Sequence, residues 1–164
     1  MSIQNYFLTL LVTIIFPAIG LCQTEPKRQA IYLEGFGAGV FYSFNYDWRF
    51  RDQSDGLGAK AGLGYTAIDG YRVTTVPIAV NYLIGNKKNF LELGLGGTLL
   101  LVNHYNSTFA SSDPRFSGSA FYFNGIIGYR RVAESGFVLR AGFTPFFTGE
   151  EGVFFPQLSL GYAF

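Results

Sequence analysis

The stretch NFLELGLGGTLLL, residues 89–101, decides the fold because its side chains change character at every second position. Leucine fills one set of alternate places and glutamate, glycine or threonine fills the other: Leu91, Leu93, Leu95, Leu99 and Leu101 against Glu92, Gly94, Gly96 and Thr98. Successive side chains of a strand point to opposite sides, so this period of two is typical of a strand with two unlike faces. The stretch is therefore predicted to be a strand with one apolar and one small or polar face.

The same alternation recurs along the rest of the chain. Counting this run, eight strands are predicted, at residues 30–39, 41–51, 57–66, 75–85, 90–102, 120–131, 137–147 and 154–164. Glycine, Asp/Asn or longer polar stretches separate them, as expected of turns. Recurrent glycine, β-branched and aromatic residues disfavour helix throughout.

Composition and charge exclude several functional classes. The 164 residues suffice for one domain, with 49% hydrophobic but only 14% charged residues, against about 25% charged in a typical soluble domain. The net charge of +1 offers no electrostatic basis for binding nucleic acid.

The first residues read as an export signal. An apolar run from Phe7 to Phe16 is shorter than the ~20 residues that a membrane-spanning helix needs, but it fits a signal-peptide core, although no Lys or Arg precedes it. Cleavage is expected after Gly20 or Cys22. A signal peptide at residues 1–22 and a barrel domain at residues 23–164 are predicted. Leu21 before Cys22 departs from the small residue of lipoprotein sites.

The polar face distinguishes a soluble barrel from a membrane barrel. A water-facing surface is normally rich in Lys, Glu and Asp, whereas here this face is mostly Gly, Ser, Ala, Asn and Thr. Small residues suit the crowded interior of a narrow barrel, and the opposite face suits lipid. The predicted fold is all-β: an eight-stranded antiparallel up-and-down transmembrane β-barrel.

The end of the chain carries a resemblance to known proteins. LSLGYAF, residues 158–164, resembles the terminal strand that the outer-membrane assembly machinery recognises. Residues 30–164 resemble a small OmpA/OmpX-like outer-membrane barrel, and residues 81–97 (NYLIGNKKNFLELGLGG) and 128–147 (GYRRVAESGFVLRAGFTPFF) are similar to uncharacterised barrels from Bacteroidota. The resemblance implies the outer membrane of a Gram-negative bacterium, with membrane lipid, lipopolysaccharide and the assembly machinery as partners.

The alternation also assigns charged side chains to the lumen. Eight are predicted to face inward: Glu34, Asp47, Arg49, Arg51, Lys60, Glu92, Arg130 and Arg140. Isolated charges in a narrow interior are costly, so they are expected to pair. Two interpretations remain open, a lumen plugged by ion pairs and a narrow, weakly anion-preferring water path.

Aromatic residues are expected at two further places. An interfacial belt at the periplasmic ends of the strands is predicted to hold Trp48, Phe50, Tyr82, Tyr129, Phe137, Tyr162 and Phe164, since aromatic rings prefer the membrane–water interface. In the longest external loop, roughly residues 103–119, Tyr105, Phe109 and Phe116 are candidates for binding an unknown extracellular ligand. The alternative is a loop that merely rests on lipopolysaccharide.

Catalytic chemistry finds little support. The single histidine, His104, lies near Ser107 and Asp113, which makes a lipid A deacylase-like hydrolase the alternative function. Small outer-membrane barrels include lipid A deacylases, whose motif has His and Ser two apart, followed by Asn, whereas here His104 and Ser107 are three apart and Asn106 comes before the serine. No enzyme, metal site or cofactor is predicted, and the glycines of GFGAG (residues 35–39) are assigned to a strand instead of a phosphate-binding loop.

Overall fold

The computed structural model describes residues 26–68, 71–86, 88–104, 118–147 and 152–164 of the chain. In this part of the chain, eight strands pair in sequence order and β8 closes on β1. The strands are β1 Gln29–Phe36, β2 Tyr42–Arg49, β3 Gly56–Ile68, β4 Tyr71–Asn86, β5 Asn89–His104, β6 Gly118–Val132, β7 Phe137–Phe147 and β8 Gly152–Ala163. Every neighbouring pair is antiparallel, which confirms the predicted closed up-and-down barrel.

The two ends of the barrel differ in the length of their connections. At one end, called the terminus end, Gln29 and Phe164 exchange backbone hydrogen bonds of 3.0 and 2.8 Å, and only residues 50–55, 87–88 and 133–136 connect strands. At the opposite end, called the loop end, the connections include residues 105–117. Short turns at one end and longer loops at the other are usual in outer-membrane barrels.

Strand lengths are uneven around the barrel. β1 and β2 have 8 residues each, whereas β4 and β5 have 16 each. β4 begins at Tyr71, four residues before the predicted start, because the YRVT segment (residues 71–74) continues the pairing with both β3 and β5. The β1–β2 connection therefore lies deeper in the barrel than the loop-end residues of β4 and β5.

The interior is layered along the barrel axis. Near the terminus end, the inward side chains are apolar and buried: Ala30, Leu83, Phe90, Val138 and Ala163. Charged side chains fill the next layer, and the turn between β1 and β2 lies above them. Among the described residues, no helix is long and apolar enough to cross a membrane.

Candidate functional site: the barrel interior

Seven of the eight charged residues assigned to the lumen are buried there. Three acids and four bases, each at most 6% exposed, form this ionic layer: Glu34, Asp47, Arg49, Lys60, Glu92, Arg130 and Arg140. They come from six strands, and alternation places each on the inward face of its strand. The sequence signal for them was a charge at an alternate position that the apolar face does not occupy.

Arg140 connects the residues of the ionic layer that lie nearer the loop end. Its guanidinium donates to Glu92 through two nitrogens, at 2.8 and 2.9 Å, and to Glu34 at 2.9 Å. Glu34 also accepts from the Lys60 ammonium at 3.2 Å. A two-pronged guanidinium–carboxylate contact is the strongest common form of charged hydrogen bond, so Arg140 ties β1, β5 and β7 to one another.

Arg130 continues the layer toward the terminus end. It donates to Glu92 at 3.1 Å and, through two nitrogens, to Asp47 at 2.8 and 3.2 Å. Asp47 also accepts from Arg49 at 2.5 Å and from the Asn81 amide at 2.8 Å. The charges thus alternate in sign along one continuous chain of contacts from Lys60 to Arg49.

Two neutral residues complete the layer. Asn81 on β4 donates to both Asp47 and Glu92, at 2.8 and 2.9 Å, and Ser159 on β8 accepts from Arg140 at 3.2 Å. With them, each of the eight strands contributes to a single network. Such a network can brace the wall from within, because no strand can move outward without breaking a buried polar contact.

The sequence analysis missed Tyr32, which lies in the ionic layer with its side chain 1% exposed. Its ring centroid is 4.3 Å from the Arg140 guanidinium carbon and 5.9 Å from that of Arg130, distances at which a cation is attracted to an aromatic face. Within the described part of the chain, the hydroxyl of Tyr32 has no hydrogen-bond partner. Its place in the inward register of β1, between Ala30 and Glu34, was the available signal.

The unequal roles of the ring and the hydroxyl of Tyr32 give a testable prediction. Tyr32→Phe removes an unpaired buried hydroxyl, so the free energy of unfolding should stay the same or rise by up to ~1 kcal/mol. Tyr32→Leu removes the ring that faces two guanidinium groups and should lower it by about 2 kcal/mol. Denaturant unfolding in detergent micelles measures both, and equal losses in the two variants would contradict the assignment.

The prediction for Arg51 was wrong. β2 ends at Arg49, and Arg51 is exposed in the turn that follows. β3 starts at Gly56, which has φ +81°. Two residues later, Gly58 leaves room for the Arg49 guanidinium: its carbon is 2.2 Å from where a Cβ of residue 58 would stand. The strand ends at Arg49, whose side chain packs against Gly58, and the chain then turns. The alternation of inward and outward side chains therefore does not continue to residue 51.

The interpretation of GFGAG as strand glycines is correct for Gly35 in β1 but wrong for Gly37 and Gly39. β1 ends at Phe36, and Gly37–Gly39 form a short 3-10 turn that is buried inside the barrel. We call residues 36–41 the inner turn. The threonine hydroxyls of β5 and β4 donate to it: Thr98 to the Ala38 carbonyl at 2.8 Å and Thr75 to the Gly39 carbonyl at 3.2 Å. The inner turn thus lies directly above the ionic layer and occupies the lumen.

The backbone of the inner turn is strained at two non-glycine residues. Phe36 has φ 59° and ψ −137°, and Val40 has φ 69° and ψ −61°. With Phe41 N–H donating to the Gly39 carbonyl at 2.9 Å, Val40 is the centre of a classic γ-turn, a rare and strained form. Each such residue costs about 1–3 kcal/mol, whereas each hydrogen bond that holds the turn contributes about 0.5–1.5 kcal/mol net.

Lys27 and Arg28, which precede β1, bind to two turns of the terminus end. Lys27 donates to the Glu134 carbonyl oxygen in the β6–β7 turn at 2.5 Å, and Arg28 forms an ion pair with Asp52 in the β2–β3 turn. Lys88 donates to the Glu134 carboxylate at 2.7 Å. This hydrogen bond and the charge of Lys88 lower the pKa of the exposed Glu134 carboxyl from its ordinary value.

The aromatic residues assigned to the interfacial belt lie at the terminus end on the outward side. Six are exposed and Trp48 is half-buried: Phe50, Tyr82, Tyr129, Phe137, Tyr162 and Phe164 are the exposed ones. The Tyr129 hydroxyl donates to Asn89 at 2.6 Å beside the β4–β5 turn. These rings point away from the lumen at the end where the strands meet their short turns.

Other sequence predictions lie outside the described residues. The signal peptide, residues 1–22, is one, and the loop residues Tyr105, Phe109 and Phe116 are others. The catalytic alternative falls there too, since Ser107 and Asp113 and the His104 side chain are not among the parts described, although the backbone of His104 ends β5. In the described part, no three His, Cys, Asp or Glu residues are grouped as metal ligands would be.

The outward surface is apolar around the whole barrel. Large hydrophobic side chains are exposed on every strand, among them Leu33, Phe44, Leu63, Ile78, Leu95, Phe123, Phe143 and Leu158. A shallow depression of about 770 Å³, between Trp48 and Phe121, is lined like the surface around it. Water would make such a surface an aggregation site, whereas hydrocarbon suits it.

Comparisons with solved structures agree with this geometry. The N-terminal β-barrel domain of Pseudomonas aeruginosa OprF is similar with a TM-score of 0.66 at 13% identity, over 86% of this chain and 100% of that chain. Ail, the attachment invasion locus protein of Yersinia pestis, is similar with a TM-score of 0.51 at 17% identity, over 84% and 94% of the two chains. No family model and no curated protein matches the sequence. The chain therefore has the fold of the small eight-stranded outer-membrane β-barrels, the OmpA/OmpX-like architecture.

Proposed function

We propose that the chain is an integral outer-membrane barrel protein of a Gram-negative bacterium, with a closed lumen and no enzymatic activity. Its role is structural or one of surface interaction through the extracellular loops. The observation that carries this proposal is the inversion of polarity: seven charged side chains of the strands lie in one buried network, and large hydrophobic side chains are exposed outward on all eight strands.

The connections support an orientation with both chain ends in the periplasm. The longest connection, residues 105–117, is at the loop end, whereas the connections of the terminus end have two to six residues, as expected of the extracellular and periplasmic ends of such barrels. The loop end then faces the outside of the cell, with lipopolysaccharide around it. The exposed charges of the turns, such as Lys88 and Glu134, would lie in water.

Strand length supports a surface role for the loop end. A membrane crossing takes ~9–11 residues of a tilted strand, whereas β4, β5 and β6 have 16, 16 and 15. Their remaining residues would extend roughly 15 Å beyond the hydrocarbon, at about 3.4 Å per residue and a tilt near 45°. His104 and Gly118, the loop-end residues of β5 and β6, belong to this rim, and we propose Tyr105, Phe109 and Phe116, which lie between them in the sequence, as contact residues.

Cell fractionation tests the location. The full chain, expressed in a Gram-negative host, should sediment with the outer-membrane fraction and require detergent for release. Recovery in the soluble periplasmic fraction would contradict the proposal.

Electrical recording tests the closed lumen separately. Purified protein in planar lipid bilayers should give no steady conductance, because apolar, ionic and inner-turn layers fill the lumen in succession. An open porin in the same bilayers is the control. A reproducible open level at constant voltage would contradict a closed lumen while leaving the proposed location intact.

A further inference from the structure

The inner turn stands out among the described residues because its middle part, Gly37–Gly39, is buried, its backbone is strained, and hydrogen bonds attach it to its surroundings. Its hydrogen bonds to the wall and to the layer below come from Thr98, Thr75 and Glu34, the last accepting from the Ala38 N–H at 3.3 Å. The rings of Phe36 and Phe41 at its two ends are 55% and 43% exposed on the outward side. The part that enters the lumen, Gly37–Gly39, has only one small side chain.

Strain in this segment works against its retention in the lumen. Phe36 and Val40 adopt backbone angles that L residues rarely take, and a valine at positive φ is a pronounced outlier. A turn that left the lumen could relax both residues to ordinary angles. Local strain that persists in a fold marks a segment with two accessible arrangements or a functional constraint.

We propose that the inner turn is a releasable plug, a conformational switch that opens the outer half of the lumen while the ionic layer beneath it stays closed. This inference rests on the closed lumen proposed above. In the released arrangement, water from the loop end reaches Ser43 and the upper side of the Glu34–Lys60 pair. The Arg130–Asp47 contacts and the apolar layer remain in place.

Ser43 is a natural reporter of the switch. It is fully buried, and its Cβ lies 2.6 Å from where a Cβ on Gly39 would stand, so it is directly against the inner turn. Ser43→Cys is nearly isosteric, and the chain's single cysteine, Cys22, is absent from a chain that starts at residue 23. Ser159→Cys, in the ionic layer at 1% exposure, reports whether the lower layer opens as well.

The experiment measures the rate at which a charged, water-soluble thiosulfonate labels each cysteine in lipid nanodiscs. Ser43→Cys should react slowly, and adding Thr98→Val should speed the reaction at least about tenfold, because the substitution removes the donor to the Ala38 carbonyl and also the acceptor of the Asn124 amide at 2.9 Å. Thr144→Val is the control for the loss of a buried threonine hydrogen bond, because Thr144 donates to Gln157 and reaches the turn only through that side chain, whose Cγ is 3.1 Å from where a Cβ of Gly37 would stand; it should therefore accelerate labelling less than Thr98→Val. Adding Val40→Gly should slow labelling several-fold, since glycine adopts positive φ without strain.

The results separate the switch from general loosening. Labelling of Ser159→Cys should stay absent in every variant. Equal acceleration by Thr98→Val and Thr144→Val, faster labelling with Val40→Gly, or joint labelling of residues 43 and 159 would each overturn the proposal. Where Thr98→Val fails to fold by gel shift, Thr75→Val removes the other threonine contact. Steady conductance of the unmodified protein would refute the closed lumen without deciding these rates.

Discussion

Glu92→Gln should destabilise the barrel by about 3–5 kcal/mol, the cost of leaving buried charges without their partner. Glu92 accepts from Arg140, Arg130 and Asn81, and a glutamine cannot compensate the two guanidinium groups that face it. The balance of three acids against four bases in the ionic layer would become two against four. Denaturant unfolding in detergent micelles or lipid vesicles measures the loss.

Two further variants make the Glu92 test specific. Glu134→Gln is the matched control, because it removes the same charge from an exposed pair with Lys88 and should change stability little. The double variant Glu92→Gln/Arg140→Gln should lose less than the sum of its two single variants, with a coupling of about 0.5–3 kcal/mol, as expected for residues in direct contact. Additive losses would mean that Glu92 and Arg140 do not act as a pair.

Leu95→Arg should cost about 2–4 kcal/mol if the outward face lies in hydrocarbon, the penalty measured for a cation near the bilayer midplane on such barrels. Leu95 is 70% exposed on the outward face of β5. In water, an exposed leucine can be replaced by arginine with little effect on folding. The substitution therefore tests whether hydrocarbon or water surrounds Leu95. The measurement is the free energy of unfolding in lipid vesicles.

The control for Leu95 lies on the same strand and face. Leu101 points outward six residues farther toward the loop end, roughly 20 Å along the strand, and Leu101→Arg should cost only about 0–1 kcal/mol near the interface. A depth-independent penalty at Leu95 and Leu101, or none at either, would show that no bilayer surrounds this face.

Most of the architecture was predicted from the sequence pattern. The closed antiparallel order was predicted from the small residues of the polar face and from the resemblance to outer-membrane barrels. Alternation located all eight strands, and it restricts their register, because a strand with one lipid-compatible face cannot slip by one residue without exposing its charges on that face. It also assigned Glu34, Lys60 and Arg140 to the lumen, where the structure has them. The ion pairs themselves were not predicted. They depend on the register between neighbouring strands, which cannot be read from the sequence of one strand.

The inner turn and Arg51 show where alternation fails. In GFGAG, glycine at every second place looks the same whether the chain continues as a strand or bends into the lumen, and the structure bends it after Phe36. Alternation predicted that Arg51 faces inward like Arg49, but β2 ends at Arg49. Tyr32 was missed although its position in β1 places it inward with Ala30 and Glu34; its ring lies near the Arg140 and Arg130 guanidinium groups.

The measurement that tests the central claim most directly is refolding of residues 23–164 from urea, in plain buffer and in parallel into lipid vesicles. The readouts are sedimentation and the gel mobility of unboiled against boiled samples. If hydrocarbon covers the outward face and the charges are enclosed, folded protein with a boiling-dependent mobility should appear only with vesicles, and the buffer sample should aggregate. Folded, monodisperse protein in buffer without lipid or detergent would contradict the account.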